Sequence, residues 1–276
     1  MAEYWSVRLE KFESETFKLL IIGNTASSAC CMQGYNMKAR VNKIIPFSSV
    51  DGPGNRTAIF LQGCNINCLY CHNPETRDKY GDKNITTVTE MSSDEVLEQV
   101  KKQIPFVRGI TVSGGECMLQ YDFLTELFTK AKKLGLSTMI DTNGTIDFAG
   151  KQDLLDVTDG VLLDIKAYDS DIHRKITGTG NETVIANARL LATIGRLEEI
   201  RCVICPSLYD GKHSVRAIGE MMRDLYKPDS FHFKLISYRP MGVRVEYARM
   251  LTPGTDYMNE LAGILSELGY EKTIVV

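Results

Sequence analysis

The feature that most constrains the fold is an alternation of short apolar segments with amphipathic ones, which begins near residue 38. Strands alternating with helices indicate βα units and a parallel sheet. About six such units are fewer than the eight of a complete barrel, so we predict an α/β fold, a partial, open (β/α)6 TIM-like barrel. The six predicted strands, each rich in Val, Ile, Leu or Phe, are residues 57–62, 109–112, 137–141, 160–164, 199–204 and 230–236.

Helix signals fall between these strands. Ser92 and Glu95 have the spacing of a capping box, which predicts a helix start at this point. A second helix is predicted over residues 123–134, with Gly135 at its C-terminal end. Further helices are predicted over residues 181–193, 214–226 and 255–268.

Composition excludes several classes of protein. The chain of 276 residues is 43% apolar with a net charge of −3, so nothing favours nucleic acid as a partner. The apolar run 17–23 is far shorter than the ~20 residues of a membrane helix, and we expect no membrane partner. Eight clustered cysteines suit a reducing, cytoplasmic setting better than a disulfide-rich secreted fold.

Two regions of the chain differ in pattern. Residues 1–37 show no period long enough for a helix, and we expect a poorly ordered N-terminal extension there. Residues 38–276 carry the alternating segments, and we expect them to form one core domain.

Three cysteines lie close together directly after the first of the six strands. Cys64, Cys68 and Cys71 have the spacing C-x3-C-x2-C. Structural zinc sites usually have four protein ligands, whereas this trio leaves one coordination position open. A [4Fe–4S] cluster held by three thiolates would leave its fourth iron free, and a zinc site is the alternative.

Polar and glycine-rich residues follow the other strands. They occur at residues 113–116, 141–144, 164–166 and 237–240, and the fifth strand carries Arg201. Because the carboxyl ends of parallel strands meet at one edge, these residues and the cysteines are predicted to form a single site.

The trio, with Tyr70 before its last cysteine and Gly-Gly-Glu at 114–116, resembles the radical S-adenosylmethionine (radical SAM) superfamily. The match extends to Asp-Gly-Pro-Gly-Asn-Arg at 51–56, Asp-Thr-Asn-Gly at 141–144 and Leu-Asp-Ile-Lys at 163–166. These stretches resemble the activating enzymes of glycyl-radical enzymes, above all those of the pyruvate formate-lyase type. The resemblance covers the chain from about residue 41 onward.

The resemblance implies a function. Such enzymes cleave S-adenosylmethionine reductively at a [4Fe–4S] cluster, and the 5′-deoxyadenosyl radical takes hydrogen from a glycine of a partner enzyme. The partner would be a pyruvate formate-lyase-like glycyl-radical enzyme, and flavodoxin or ferredoxin would donate the electron. The radical is borne by the cofactor, so no residue is predicted to act as a catalytic acid or base. Alternatives are a radical SAM enzyme acting on a small molecule or peptide, and a metal-bound regulatory or electron-transfer protein.

The resemblance also assigns the site residues. Cys64, Cys68 and Cys71 would hold the cluster, and Arg239 stands where the pyruvate formate-lyase type has a histidine. The residues implied for S-adenosylmethionine binding are Tyr70, Cys71, His72, Gly114, Gly115, Glu116, Asp164, Ile165, Lys166, Arg201 and Arg239.

Two further sites are implied. A monovalent cation would be held by Asp141, Thr142, Asp164 and the carbonyl of Leu162. The alternative for the two carboxylates is a helix cap or a salt bridge to Lys166 or Arg201. Asp51 and Arg56 are predicted to grip the glycine loop of the partner. Separately, the remaining cysteines are interpreted as buried apolar groups, with Cys202 and Cys205 facing opposite sides: Cys30, Cys31, Cys117, Cys202 and Cys205.

Overall fold

Strands and helices alternate through the part of the chain that the computed structural model describes, residues 37–79 and 88–276. The strands are β1 (Lys38–Ser48), β2 (Arg56–Leu61), β3 (Thr89–Ser92), β4 (Gly109–Gly114), β5 (Ser137–Thr142), β6 (Gly160–Asp164), β7 (Leu197–Ile204), β8 (His232–Ser237) and β9 (Thr273–Val275). The helices are α1 (Ser93–Lys101), α2 (Tyr121–Lys133), α3 (Gln152–Asp156), α4 (Ser170–Thr177), α5 (Glu182–Thr193), α6 (Gly211–Met222) and α7 (Thr255–Glu267).

The described strands form one sheet in the order β3-β1-β2-β4-β5-β6-β7-β8-β9. From β2 to β9 every neighbouring pair is parallel, whereas β1 is antiparallel to both β2 and β3. The six predicted strands correspond to β2, β4, β5, β6, β7 and β8. Because β3 and β9 each pair on one side only, the sheet stays open, and the predicted partial barrel is confirmed.

Helix starts and ends follow the capping signals. The Ser92 hydroxyl accepts from the Glu95 amide at 3.2 Å, and the Glu95 carboxylate accepts from the Ser92 amide at 2.7 Å, so the predicted capping box is confirmed. Gly135 has φ +72° just beyond α2, as a C-terminal glycine should. Helix α6 starts at Gly211, earlier than predicted, because the Asp210 side chain caps its first turn. We did not predict α3 and α4, which have only five and eight residues.

The two faces of the sheet differ in character. Ile110 and Val112 of β4 are fully buried in the apolar core beneath the helices. The residue between Val112 and Gly114, Ser113, faces the interior of the open barrel instead. A smaller, inner aromatic cluster, separate from that core, includes Tyr70, Tyr209 and Tyr238, and its Tyr70 lines the interior. The inner face thus offers polar groups beside an aromatic side chain.

The cysteines outside the trio behave as predicted where they are described. Cys202 lies in the helix-facing core and Cys205 in the inner aromatic cluster, so the two face opposite sides. Cys117 is also buried. Cys30 and Cys31 lie outside the described residues.

Residues 1–36 of the predicted extension likewise lie outside the described part, whose first residue, Met37, donates its amide to Glu126 at 3.0 Å. Among the described helices, none is long and apolar enough to cross a membrane.

Candidate active site

A cavity of about 460 Å³ opens at the carboxyl ends of the parallel strands. It is bounded by the ends of β4, β5 and β6 and by the cysteine loop, which we define as residues 62–77. The following predicted site residues line it: Asp51, Cys64, Cys68, Tyr70, Cys71, His72, Gly114, Gly115, Asp141, Thr142, Asp164, Lys166 and Arg201. The cluster and cofactor predictions therefore meet in one place.

Backbone hydrogen bonds fix the cysteine loop against helix α4. The amides of Asn67 and Leu69 donate to the carbonyls of Thr177 and Ile176 at 2.8 and 3.0 Å. These carbonyls belong to the last turn of the helix, where they lack partners within the helix itself. A helix end that the sequence did not reveal thus positions the loop that carries the thiols.

Burial makes the three thiols weak acids. It raises the pKa of Cys64 and of Cys71, and it raises that of Cys68 to about 12. The positive charge of Lys166 opposes this shift at all three, so it favours the thiolate form. Over residues 37–79 and 88–276, no three His, Cys, Asp or Glu side chains converge closely enough to hold one metal ion. The thiols instead share a wall of the cavity.

Gly114 ends β4 and Gly115 follows it, and the two let β4 pack closely against the end of β2 and the cysteine loop. A Cβ on Gly114, whose φ is +120°, would lie 2.1 Å from the Leu61 carbonyl oxygen. A Cβ on Gly115 would lie 2.2 Å from the Gly63 carbonyl oxygen. Both glycines were predicted to contact S-adenosylmethionine, but the Gly115 amide donates to Leu61 at 3.0 Å. Glycine is required here mainly because two backbone segments pack together.

Glu116 is fully buried and does not line the cavity. Its carboxylate accepts from the Thr142 hydroxyl at 2.8 Å and from the amides of Met118 and Asn143 at 3.0 and 2.8 Å. Burial outweighs these three donors and raises the pKa of Glu116 to about 7. The prediction of a cofactor contact is therefore corrected: Glu116 ties the end of β4 to the end of β5.

Lys166 and Asp164 form an ion pair on the cavity wall, with 2.7 Å between Nζ and Oδ2. Burial alone lowers the pKa of Lys166, but the Asp164 carboxylate and the nearby Cys68 outweigh it and hold the pKa well above its usual value. The ammonium group also lies 5.9 Å from the centre of the Tyr70 ring. A fixed positive charge therefore stands beside the thiols.

Asp141 forms the matching ion pair one strand away. Its Oδ2 accepts from Arg201 Nη1 at 2.8 Å and from the Ser113 hydroxyl at 2.9 Å. Burial raises the pKa of Asp141, and the Arg201 charge works against that shift.

Two residues of the cavity lining, Tyr70 and Arg201, each carry a buried donor without an acceptor. Tyr70 Oη and Arg201 Nη2 have no hydrogen-bond partner among the described residues. A buried donor without a partner is costly, so the two atoms indicate a ligand that offers acceptor groups.

Comparison with known proteins identifies the family. A family model described as the radical SAM superfamily matches residues 58–206, more than half of the chain. A pyruvate formate-lyase-activating enzyme from Streptococcus mutans is 40% identical over 211 residues, which are 73% of this chain and 78% of that protein. The chain belongs to the radical SAM activating-enzyme family. A pyruvate formate-lyase 1-activating enzyme from Escherichia coli K12 is 32% identical over 249 residues, 84% of this chain and 97% of that protein.

Solved structures support the radical SAM fold. A domain of a pyruvate formate-lyase-activating enzyme from Bacteroides vulgatus aligns with a TM-score of 0.53 and 21% identity, over 61% of this chain and 98% of that one. QueE from Escherichia coli aligns with a TM-score of 0.55 and 18% identity, over 87% and 94%. At these identities the likeness concerns the fold alone.

The cavity fits the cofactors of the radical SAM superfamily, a [4Fe–4S] cluster and S-adenosylmethionine. Three thiols would hold the cluster and leave one iron open. The partnerless Tyr70 Oη and Arg201 Nη2 suit a ligand rich in acceptors, and Lys166 suits its carboxylate. The donor groups and the charge of the cavity therefore both match these two cofactors.

The predicted cation site is arranged as two ion pairs in this structure. Asp141 pairs with Arg201 and Asp164 pairs with Lys166, as the salt-bridge alternative predicts. Thr142 donates its hydroxyl to Glu116, and Leu162 lies opposite Asp141 in the sheet. A monovalent ion stays a prediction.

Two other predicted cofactor contacts point elsewhere. The Ile165 side chain is buried in the helix-facing core, because alternate residues of a strand and its continuation face opposite sides. Arg239 is exposed and does not line the cavity, but its carbonyl oxygen lies 3.1 Å from His72 Nε2. Only the backbone of Arg239 therefore takes part, by holding the cysteine loop.

The position of Arg56 also disagrees with its predicted contact with the partner. It begins β2 and is 1% exposed, at the end of the sheet opposite the cysteine loop. Its guanidinium donates to the Thr111 hydroxyl at 2.7 Å, to the Ile110 carbonyl at 2.7 Å and to the Ser137 hydroxyl at 2.9 Å. A side chain so buried cannot grip a partner, so we correct its role to supporting the loop that carries Asp51.

Sequence reasoning missed two residues that touch the cysteines. Asn143 Nδ2 donates to Cys64 Sγ at 3.8 Å, and Arg244 Nη2 donates to the Cys68 carbonyl at 3.1 Å. Asn143 lies in the Asp-Thr-Asn-Gly stretch, so that motif could have indicated it. Arg244 lies in the loop after β8, where no sequence signal pointed to it.

Proposed function

We propose that this protein is the activating enzyme of a glycyl-radical enzyme of the pyruvate formate-lyase type. The observation that carries the proposal is the single cavity that joins Cys64, Cys68 and Cys71 to the Lys166 and Arg201 cations. The names of the relatives in Streptococcus mutans and Escherichia coli support the choice of reaction. A reducing cytoplasm would suit the partly exposed thiols.

In this proposal the protein binds and orients, while the cofactors supply the reaction. When bound, the cluster and S-adenosylmethionine provide reductively triggered hydrogen abstraction. Lys166 would hold the carboxylate or ribose edge of the ligand, and Tyr70 would lie near its adenine. Arg201 would donate from Nη2. The aromatic interior would keep water away from the reacting centre.

The cavity also offers a place for the glycine of a partner. Asp51 lines it from the loop between β1 and β2, and that loop is tied across the barrel opening by Lys234, which donates to the Val50 carbonyl at 3.2 Å. We propose that Asp51 contacts the glycine loop. Replacement Asp51→Ala should then impair activation of the partner while S-adenosylmethionine cleavage without the partner persists; unchanged activation would refute the assignment.

An electron donor would approach from the other side of the cysteine loop. There a surface depression of about 670 Å³ contains Cys64 and several charged side chains. Of the charged residues that the structure describes there, four are basic and one is acidic: Lys38, Arg40, Arg77, Lys79 and Asp122. The excess of positive charge would attract an acidic carrier such as flavodoxin or ferredoxin, and it lies beside a cluster ligand.

Anaerobic reconstitution tests the proposal. The protein should become brown, bind about four irons per chain and cleave S-adenosylmethionine under a strong reductant. Cys68→Ser should lose the iron, whereas Cys202→Ser, on the helix-facing side, should keep it. With a purified pyruvate formate-lyase, a glycyl-radical doublet should appear by electron paramagnetic resonance (EPR). Cleavage without that doublet would favour a small-molecule or peptide substrate, and a colourless zinc protein would exclude the radical reaction.

A further inference from the structure

Four charged residues share the inner face of two neighbouring strands beside the cavity. Glu199 and Arg201 lie two apart on β7, and His232 and Lys234 lie two apart on β8. The parallel register places Glu199 opposite His232 and Arg201 opposite Lys234. Because alternate residues of a strand share a face, all four side chains point to the barrel interior.

A local irregularity in β7 determines which of its side chains face the barrel interior. Between β6 and β7 the register moves from Val161–Leu197 to Leu162–Glu199, so β7 has one extra residue, Glu198. Such a bulge changes which side chains of a strand face a given side. With it, Glu199 and Arg201 turn toward the cavity side of the sheet.

Glu199 is the centre of the group. It is 3% exposed, and its carboxylate accepts from Arg201 Nε, from His232 Nε2 at 2.9 Å, and lies 3.8 Å from Lys234 Nζ. Burial alone would raise the pKa of Glu199, but the His232 hydrogen bond and the Arg201 charge lower it to about 2. The carboxylate is therefore ionised at neutral pH.

Arg201 is held at two of its three nitrogens. Nε donates to Glu199 and Nη1 donates to Asp141, while the buried Nη2 has no partner among the described residues. Arg201 is one of the residues that line the cavity. A guanidinium is planar and rigid, so fixing two nitrogens fixes the direction of the third.

We infer that Glu199, itself held by His232, is a positioning residue that aims Arg201 Nη2 at an acceptor group of bound S-adenosylmethionine. The inference rests on the proposed function. Compensation of the Arg201 charge alone does not explain its contact with Glu199, because Asp141 already pairs with Arg201. Glu199 adds a second contact that fixes the guanidinium, because its carboxylate accepts from Arg201 Nε.

The test compares S-adenosylmethionine affinity in the cluster-loaded protein, measured by equilibrium dialysis under anaerobic conditions. Glu199→Leu should weaken binding about tenfold or more, because leucine offers no acceptor to Arg201 Nε and the guanidinium loses its second fixed point. In an Arg201→Lys background, where no Nη2 exists, the same change should alter affinity by less than about twofold. Equal factors in the two backgrounds, or no effect in the first, would overturn the inference.

Three further variants make the outcome independent of folding defects. His232→Ala should weaken binding, and His232→Gln, which keeps a side-chain N–H donor, should restore most of it; wild-type affinity in His232→Ala would count against the inference. Glu198→Leu, the same substitution one residue away, should bind like the wild type. If the wild-type protein itself does not bind S-adenosylmethionine, the proposed function fails, and the inference fails with it.

Discussion

The side-chain amide of Asn143 lies 3.8 Å from Sγ of Cys64 and donates a hydrogen bond to it. Hydrogen bonds to ligand sulfurs stabilise the more electron-rich state of an iron–sulfur cluster and raise its reduction potential. We therefore expect Asn143→Ala to make the cluster potential more negative. An EPR-monitored redox titration of the reconstituted protein measures this. Asn259→Ala, on the exposed surface of α7, should leave the potential where it is.

Removing the Lys166 charge should weaken cofactor binding. Lys166→Ala leaves Asp164 without its ion-pair partner and removes the cation from the cavity wall. Lys166 would pair with the carboxylate of bound S-adenosylmethionine, and loss of one partner of such a buried pair across a binding interface costs about 2 kcal/mol or more, so affinity should fall about 30-fold or more. Equilibrium dialysis should show no change for Lys175→Ala, an exposed lysine of α4. Equal affinity in Lys166→Ala would remove Lys166 from the site.

Arg56 should matter for stability and not for cofactor binding. Arg56→Met removes five hydrogen bonds from the interior of the sheet. The free energy of unfolding should drop by about 3 kcal/mol or more, since bonds to charged groups contribute about 1.5–3 kcal/mol each. Urea titration gives the value, and Arg189→Met, at an exposed ion pair, should cost less than about 1 kcal/mol. A variant as stable as the wild type but unable to activate the partner would restore the original prediction for Arg56.

Glu116 should make stability fall between about pH 4.5 and pH 7. Burial raises its pKa from 4.5 to about 7, so in this window the folded state keeps a proton that the unfolded state releases. Below pH 4.5 both states are protonated and the stabilisation is complete; above pH 7 both are ionised and it is gone. The free energy of unfolding should therefore decline by about 3 kcal/mol in total across the window. Unfolding titrations of the metal-free protein at several pH values test this. Glu116→Gln should flatten the slope and Glu98→Gln, on the surface of α1, should not.

The sequence sufficed for features that depend on local pattern. Strand ends, the capping box at Ser92 and the gathering of Asp141, Asp164 and the cysteines all follow from periodicity and the geometry of parallel sheets. It did not suffice where two distant segments decide the outcome. The hydrogen bond between Glu199 and His232 joins residues 33 apart and depends on a bulge that no sequence signal marked.

Contacts between distant segments also explain why the predicted roles of Glu116 and Arg56 were wrong. Glu116 follows two glycines that suggested a ligand contact, but its direction is set by donors on β5 that fold around it. Arg56 ends a loop motif that suggested an exposed contact with the partner. At the start of β2, however, its side chain turns inward and donates to carbonyls of β4 and β5. A motif specifies which residues are present, whereas the neighbouring strands decide which way each one faces.

The close contact of Gly115 with the Gly63 carbonyl has a consequence for the life of the enzyme. The cysteine loop is held there, and at α4, by backbone groups rather than by the thiols themselves. Small metal-dependent domains unfold when their metal leaves, because the metal supplies the folding energy. Because backbone contacts hold this loop, we expect the frame to stay folded when the cluster is lost. Repair of a cluster destroyed by oxygen would then require only new iron and sulfide and not a new chain.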